Sequence, residues 1–210
     1  MVYSVDIYDK SGKVVSKVDL NEALFADTMI NPALIHEYYL LQSSNARLPI
    51  AKVQGKWEVA GSGRKLYKQK GTGNARSGWK NSPTRKGGGV AFGPRWEVAF
   101  EKWMNKKARK VAIYGLLTLK AKDKQICGLK DLEMKGPKTK DATSILKNLG
   151  LDGKKVLLVM NKKDEAIEKS FRNLQKVKYL LVDYLNPFDL MNADKVVLME
   201  SALEKINEKK

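Results

Sequence analysis

From its start the chain alternates: Val2, Ser4 and Asp6 fall on one side of an extended segment and Tyr3, Val5 and Ile7 on the other. A polar turn, Asp9-Lys10-Ser11-Gly12-Lys13, follows, and Val14 to Val18 return. Period-two alternation on both sides of such a turn predicts a β-hairpin. The period then changes. Asn31-Pro32 supplies a capping side chain and a proline for the first helical position, and Ala33, Leu34, Tyr38 and Leu41 lay an apolar stripe along a helix to about Asn45.

The second half repeats strand and helix. Asn105 is placed to cap a helix over Lys106–Ala121, with Ala108, Val111, Ala112 and Leu119 on one side, and a strand follows around Gln125–Leu129. Lys138–Leu149 reads as a helix closed by Gly150, and Lys155–Met160 as a strand buried on both faces, because its run is uninterruptedly apolar after the lysine. A helix over Asp164–Asn173, a strand over Val177–Leu181, a short helical turn opened by Asn186-Pro187, a strand over Lys195–Met199 and a helix over Ser201–Glu208 complete the pattern. Such alternation is the mark of βαβ units. It predicts a single α/β domain over 1–210, with three layers (α/β/α) and a mostly parallel central sheet.

Neither period survives between Ala60 and Arg95. This stretch carries nine glycines and nine cations and no Asp or Glu. A structureless segment of this length inside a compact domain is either functional or disordered. Ordering its backbone costs about 1–2 kcal/mol per residue. Its few apolar side chains (Leu66, Tyr67, Trp79, Val90, Phe92) return about 1.5–3 kcal/mol each when fully buried. Alone it should be floppy; with RNA present, glycines admit phosphates closely, Lys and Arg neutralise them, and Tyr67, Trp79 and Trp96 offer ring faces to unpaired bases. The segment is therefore expected to be an extended basic loop that RNA orders.

Charge sharpens this expectation. The 210 residues hold 40 Lys and Arg against 23 Asp and Glu, a formal net charge of +17. An excess of this size points to a polyanionic partner, nucleic acid before anionic lipid. No apolar run is long enough for a membrane span and the N-terminus lacks a signal-peptide pattern, so a cytoplasmic protein without a membrane partner is expected. The single cysteine, Cys127, excludes an internal disulfide and a multi-cysteine zinc site, and reads as a small buried hydrophobe. The single histidine, His36, reads as a helix-face residue.

Enzymatic phosphate loops are not found. Gly61-Ser62-Gly63-Arg64-Lys65-Leu66 and Gly71-Thr72-Gly73-Asn74-Ala75-Arg76 both lack the third glycine of the dinucleotide pattern, and no Walker A motif occurs. With no second His and no carboxylate pair at a meaningful spacing, neither catalytic residue nor metal site nor cofactor is expected.

Three runs within the loop, Val59-Ala60-Gly61-Ser62-Gly63-Arg64-Lys65, Lys68–Gly78 and Gly87–Arg95, resemble the bacterial-type L-four family of large-subunit ribosomal proteins. The resemblance extends to Asn21–Leu24, Asn105-Lys106-Lys107, Pro137–Lys140 and Arg172-Asn173-Leu174, nearly the whole chain. It implies a structural constituent of the ribosome: a globular domain on the large subunit that binds ribosomal RNA and supports assembly, with a loop reaching the wall of the peptide exit tunnel. The implied partners are large-subunit ribosomal RNA, neighbouring proteins including the L-twenty-two family member at the tunnel constriction, and, transiently, the nascent peptide. The matching tip lies near Leu66–Thr72. Loop and resemblance together give as RNA-contacting residues Arg64, Lys65, Tyr67, Lys68, Gln69, Lys70, Thr72, Arg76, Trp79, Lys80, Arg85, Lys86, Arg95, Lys106 and Lys107. The resemblance also implies an alternative, an RNA-binding regulator of its own operon, carried by the globular domain.

Overall fold

The computed structural model describes residues 3–132, 134 and 136–208. The chain divides into two compact units, one made of Met1–Ser43 and Trp103–Lys210, the other of Ser44–Lys102. The first unit contains the sheet.

Its strands are β1 (Ser4–Tyr8), β2 (Val14–Asp19), β3 (Ile126–Leu129), β4 (Val156–Met160), β5 (Val177–Leu181) and β6 (Lys195–Met199). They form one six-stranded sheet in the order β2-β1-β3-β6-β4-β5. The hairpin β1–β2 is antiparallel and every other pairing is parallel. The predicted mostly parallel sheet and α/β class are thus observed. Val5 and Ile7 are buried on β1, as the alternation requires; Val2, assigned to the same strand, lies outside the described residues.

The apolar run of β4 explains its place. All five of its residues are buried, because β4 lies between β5 and β6 and its side chains project to both faces. β2 is an edge strand and mostly exposed, with Lys17 paired to Asp6 at 3.3 Å and a register shift between Ile7 and Tyr8. A charged side chain and a local irregularity are common means of discouraging edge-to-edge pairing.

The helices are α1 (Pro32–Asn45), α2 (Lys106–Lys122), α3 (Thr139–Asn148), α4 (Glu165–Phe171), α5 (Pro187–Asn192) and α6 (Glu200–Glu208). Asn31 and Asn186 open helices as expected, Asn31 Oδ1 accepting from the Leu34 N–H at 3.2 Å and Asn186 Oδ1 from the Asp189 N–H at 2.8 Å. Asp164, expected as the first residue of a helix, instead caps α4 by accepting from the Ala166 N–H at 2.8 Å. Asn105 differs: its side chain makes no cap, and only its main-chain oxygen accepts, from the Arg109 N–H at 3.0 Å.

The apolar stripes also shift. On α1 the buried residues are Ile35 and Leu41, while Ala33 is exposed. On α2 the burial covers Ala112, Gly115, Leu116, Leu117, Thr118 and Lys120, while Ala108, Val111 and Leu119 are half-buried. The reason is that α2 meets neighbours on more than one side, including α5 and a one-turn 3-10 helix at Asp27–Met29. Lys120 is held in this packing by donating to Gln125 Oε1 at 2.6 Å and to the Ala193 carbonyl at 2.8 Å, and burial lowers its pKa.

Candidate nucleic-acid interface

The second unit, Ser44–Lys102, begins in the last turn of α1 and otherwise holds turns, bends and one antiparallel bridge, Lys65 with Trp79. With so little regular structure, what shapes it is specific hydrogen bonding at three levels.

The neck is closed by side chains. Asn45 Nδ2 donates to the Lys102 carbonyl at 3.1 Å and Asn45 Oδ1 accepts from the Lys102 N–H at 2.7 Å. Ser44 Oγ donates to the Phe100 carbonyl at 2.6 Å, and the Arg47 guanidinium lies 4.2 Å from the centre of the Phe100 ring.

The body is cross-linked through main-chain bonds. Val53 N–H donates to Pro94 O at 3.1 Å and Val90 N–H to Gln54 O at 3.0 Å. Asn81, buried, donates through Nδ2 to Val59 O at 2.8 Å and accepts at its carbonyl from Gly89 N–H at 3.1 Å. Gly89 is required by close approach: a Cβ there would stand 2.4 Å from the Lys56 nitrogen. Glu58 ties the segment Lys52–Glu58 by accepting from Gly55 N–H at 2.9 Å and pairing with Lys52 at 3.0 Å. The Gly55 bond first, and Lys52 second, hold its carboxyl below the usual range.

The tip is open. Lys65 Nζ bonds Gln69, Tyr67 donates its hydroxyl to Ala75 O, and Leu66 N–H donates to Gly78 O at 3.2 Å. Around Gly63, Gly71, Gly73 and Gly78, however, no atom lies within 4 Å of an added Cβ, so the backbone there is unobstructed by this chain.

The expectation that residues 60–95 have no structure of their own is therefore corrected at the body and retained only in part at the tip. The physical reason is that partners come from outside the predicted bounds: Val53, Gln54 and Val59 supply the donor and acceptors that fix Asn81, Val90 and Pro94.

The candidate side chains fall into groups. Arg64, Lys65, Lys68, Gln69, Lys70 and Thr72 are exposed on the tip, and Arg76, Lys80, Lys86 and Arg95 are exposed elsewhere on the unit. Among the described residues Arg64, Lys68, Lys70, Arg76, Lys80 and Lys86 form no ion pair. Arg85 donates to Ser77 Oγ. Tyr67 is half-buried through its bonded hydroxyl, and Trp79 is half-buried against Trp57, edge to face at 4.5 Å, with Lys56 Nζ 4.1 Å from its centre. Lys106 and Lys107 belong to the other unit, exposed in the first turn of α2, where positive charge opposes the helix dipole.

Reading the sequence missed Lys52, Lys56 and Trp57, which share this unit. The acid-free criterion stopped at Glu58, and cations interleaved with an aromatic just before it were the available signal. Across Ser44–Lys102 there are thirteen Lys and Arg against three Glu, a net +10 of the chain's +17. Trp57 is 77% exposed, Phe92 105% and Trp96 57%. Among the described residues no cluster of His, Cys, Asp and Glu gathers to hold a metal, and no helix is long and apolar enough to cross a membrane.

An α/β unit accompanied by a polycationic, aromatic-bearing unit inside the same chain defines a class of basic α/β proteins. Comparison with known proteins makes the class specific. Residues 18–209 match the model of the ribosomal protein L4/L1 family, and the chain belongs to that family. It is 39% identical over 201 residues to large ribosomal subunit protein uL4 of Halothermothrix orenii, covering 96% of this chain and 95% of the relative. The same protein of Geotalea daltonii is 38% identical over 202 residues, covering 96% of each, and that of Spiroplasma kunkelii is 36% identical over 204 residues, covering 97% and 98%.

Proposed function

We propose that this chain is a structural constituent of the large ribosomal subunit, non-enzymatic and cytoplasmic, whose Ser44–Lys102 unit binds ribosomal RNA. The observation that carries the reading is likeness along almost the entire length to proteins named for that subunit. The chemistry supports it. Unpaired cations on an open backbone neutralise phosphates without competition from nearby carboxylates, and most protein contacts to nucleic acid backbone are of this kind.

In this reading the RNA-contacting side chains are the fifteen expected from the sequence, from Arg64 to Lys107. The tip around Leu66–Thr72 reaches the peptide exit tunnel beside the L-twenty-two family member and meets the nascent peptide. Residues 60–95 are the extended part of a single 1–210 domain, and the sheet is the middle of three layers. Burial of all five β4 residues supports the layering, since side chains on opposite faces both need cover.

The test is sedimentation of the tagged protein, expressed in its own cell, through a gradient at moderate salt. Salt-resistant migration with the large subunit is expected, and a variant lacking Ala60–Arg95 should incorporate poorly. Quantitative recovery as free protein overturns the proposal.

A further inference from the structure

A cavity of about 570 Å³ opens on the body of the second unit. Lys52, Lys56 and Arg95 place cations around it, and Trp57, Phe92 and Trp96 place aromatic rings at it. Such a volume suits a small planar ligand.

Three features argue that these rings face a partner. They are among the most exposed large hydrophobic residues of the described chain. The wall behind them is fixed by the Glu58 tie to Gly55 and Lys52 and by the approach of Gly89 to Lys56. Phe92 has φ +53, a backbone region that non-glycine residues rarely enter, and it holds a ring fully in solvent. Strain of this kind persists only where surrounding structure enforces it, and it concentrates at ligand clamps.

Charge selects the ligand. Two carboxylates, Glu58 and Glu97, also line the cavity; the Lys52–Glu58 pair cancels, and Lys56 and Arg95 against Glu97 leave one positive charge. A planar, apolar-faced group carrying negative charge fits both the rings and the cations. We infer that this cavity binds an unpaired nucleotide of RNA, its base stacked on Phe92 or Trp96 and its phosphate held by Lys56 or Arg95. The inference rests on the RNA-binding reading, which already offers ring faces to bases, and assigns one base and its phosphate to this cavity. Stacking tolerates every base, so the site selects single strands over duplex and not one sequence over another.

The full-length protein is titrated at fixed salt with two labelled probes, an unstructured oligoribonucleotide and an abasic analogue with the same phosphates. The oligoribonucleotide should bind about tenfold more tightly, the size expected for one stacked base. In the double variant Phe92→Gly and Trp96→Ala that preference should fall severalfold while binding of the abasic probe stays unchanged. Both removed rings are solvent-exposed and glycine relieves the positive φ, so folding is retained, as circular dichroism verifies. Phe92→Trp, paired with native Trp96, should keep the preference. Lys70→Glu, on the tip, should weaken both probes alike and leave their ratio intact. Equal affinity of the native protein for both probes, or a preference undiminished in the double variant, overturns the nucleotide site and leaves phosphate binding standing. Failure of the native protein to bind either probe removes the RNA-binding reading and this site with it.

Discussion

Asn45 and Lys102, 57 positions apart, bond each other twice, side-chain amide to main chain in both directions. Asn45 thus closes the neck of the second unit together with Ser44 and Arg47. Asn45→Ala removes both bonds and should loosen the neck by about 1–2 kcal/mol of local opening energy. Faster hydrogen exchange at the Lys102 amide, with unchanged exchange in β4, is the expected result; unchanged protection at Lys102 would assign the closure to Ser44 and Arg47 instead.

Affinity for RNA should depend on charges that this chain leaves unpaired. If about six phosphates are neutralised, log affinity falls against log salt with a slope of roughly −4 to −5. Lys70→Glu and Arg76→Glu should each cost about 1–3 kcal/mol of binding. Filter binding at several salt concentrations reads both, and unchanged affinity in both variants would mean that the contacts lie elsewhere on the unit.

Stability should depend on the sheet and be insensitive to the tip. Leu158 on β4 is 2% exposed, and Leu158→Ala should lower the unfolding free energy by about 2–5 kcal/mol. Gly63→Ala meets no atom within 4 Å and should change it by less than about 1 kcal/mol. Urea denaturation followed by circular dichroism compares them; equal effects would contradict the division between a packed unit and an open tip.

Cys127 gives a prediction in pH. Its thiol lies 3.7 Å from the Val196 carbonyl, and burial pushes its pKa up to about 11 from the usual value near 9. Because the folded value is the higher one, the protonated thiol favours the fold fully below the unfolded pKa, and that contribution is lost as pH rises toward 11. At pH 8 a thiol reagent should react slowly with native protein and rapidly once it is denatured. Rapid reaction of native protein at that pH would show an accessible thiolate.

The globular unit was largely legible because its signals are local. Periodicity located all six strands to within a residue or two, and Asn31, Asp164 and Asn186 marked helix starts that their side chains do cap. Asn105 misled because a capping residue type does not ensure that its oxygen turns toward the helix. The α2 stripe shifted because burial there is set by several tertiary neighbours, which one sequence period cannot encode. In the candidate interface, composition revealed the charge and the open tip, but the body depends on pairs such as Gln54 with Val90 and Val59 with Asn81. Bonds between main-chain atoms or to a lone Asn leave no periodic trace. The same blindness hid Lys56 and Trp57, whose relation to Trp79 exists only once the segment has folded back.

The neck has one more consequence, for the entropy of loop closure. Because Asn45 and Lys102 already bring the two ends together, the residues between them can grow or shrink at little thermodynamic expense, about 0.6 kcal/mol for each doubling of a flexible length. The crossover from α1 to α2 would register almost none of it. Changes in reach can therefore accumulate at the tip, around Gly71 and Gly73, while the hydrogen bonds at the base keep one length.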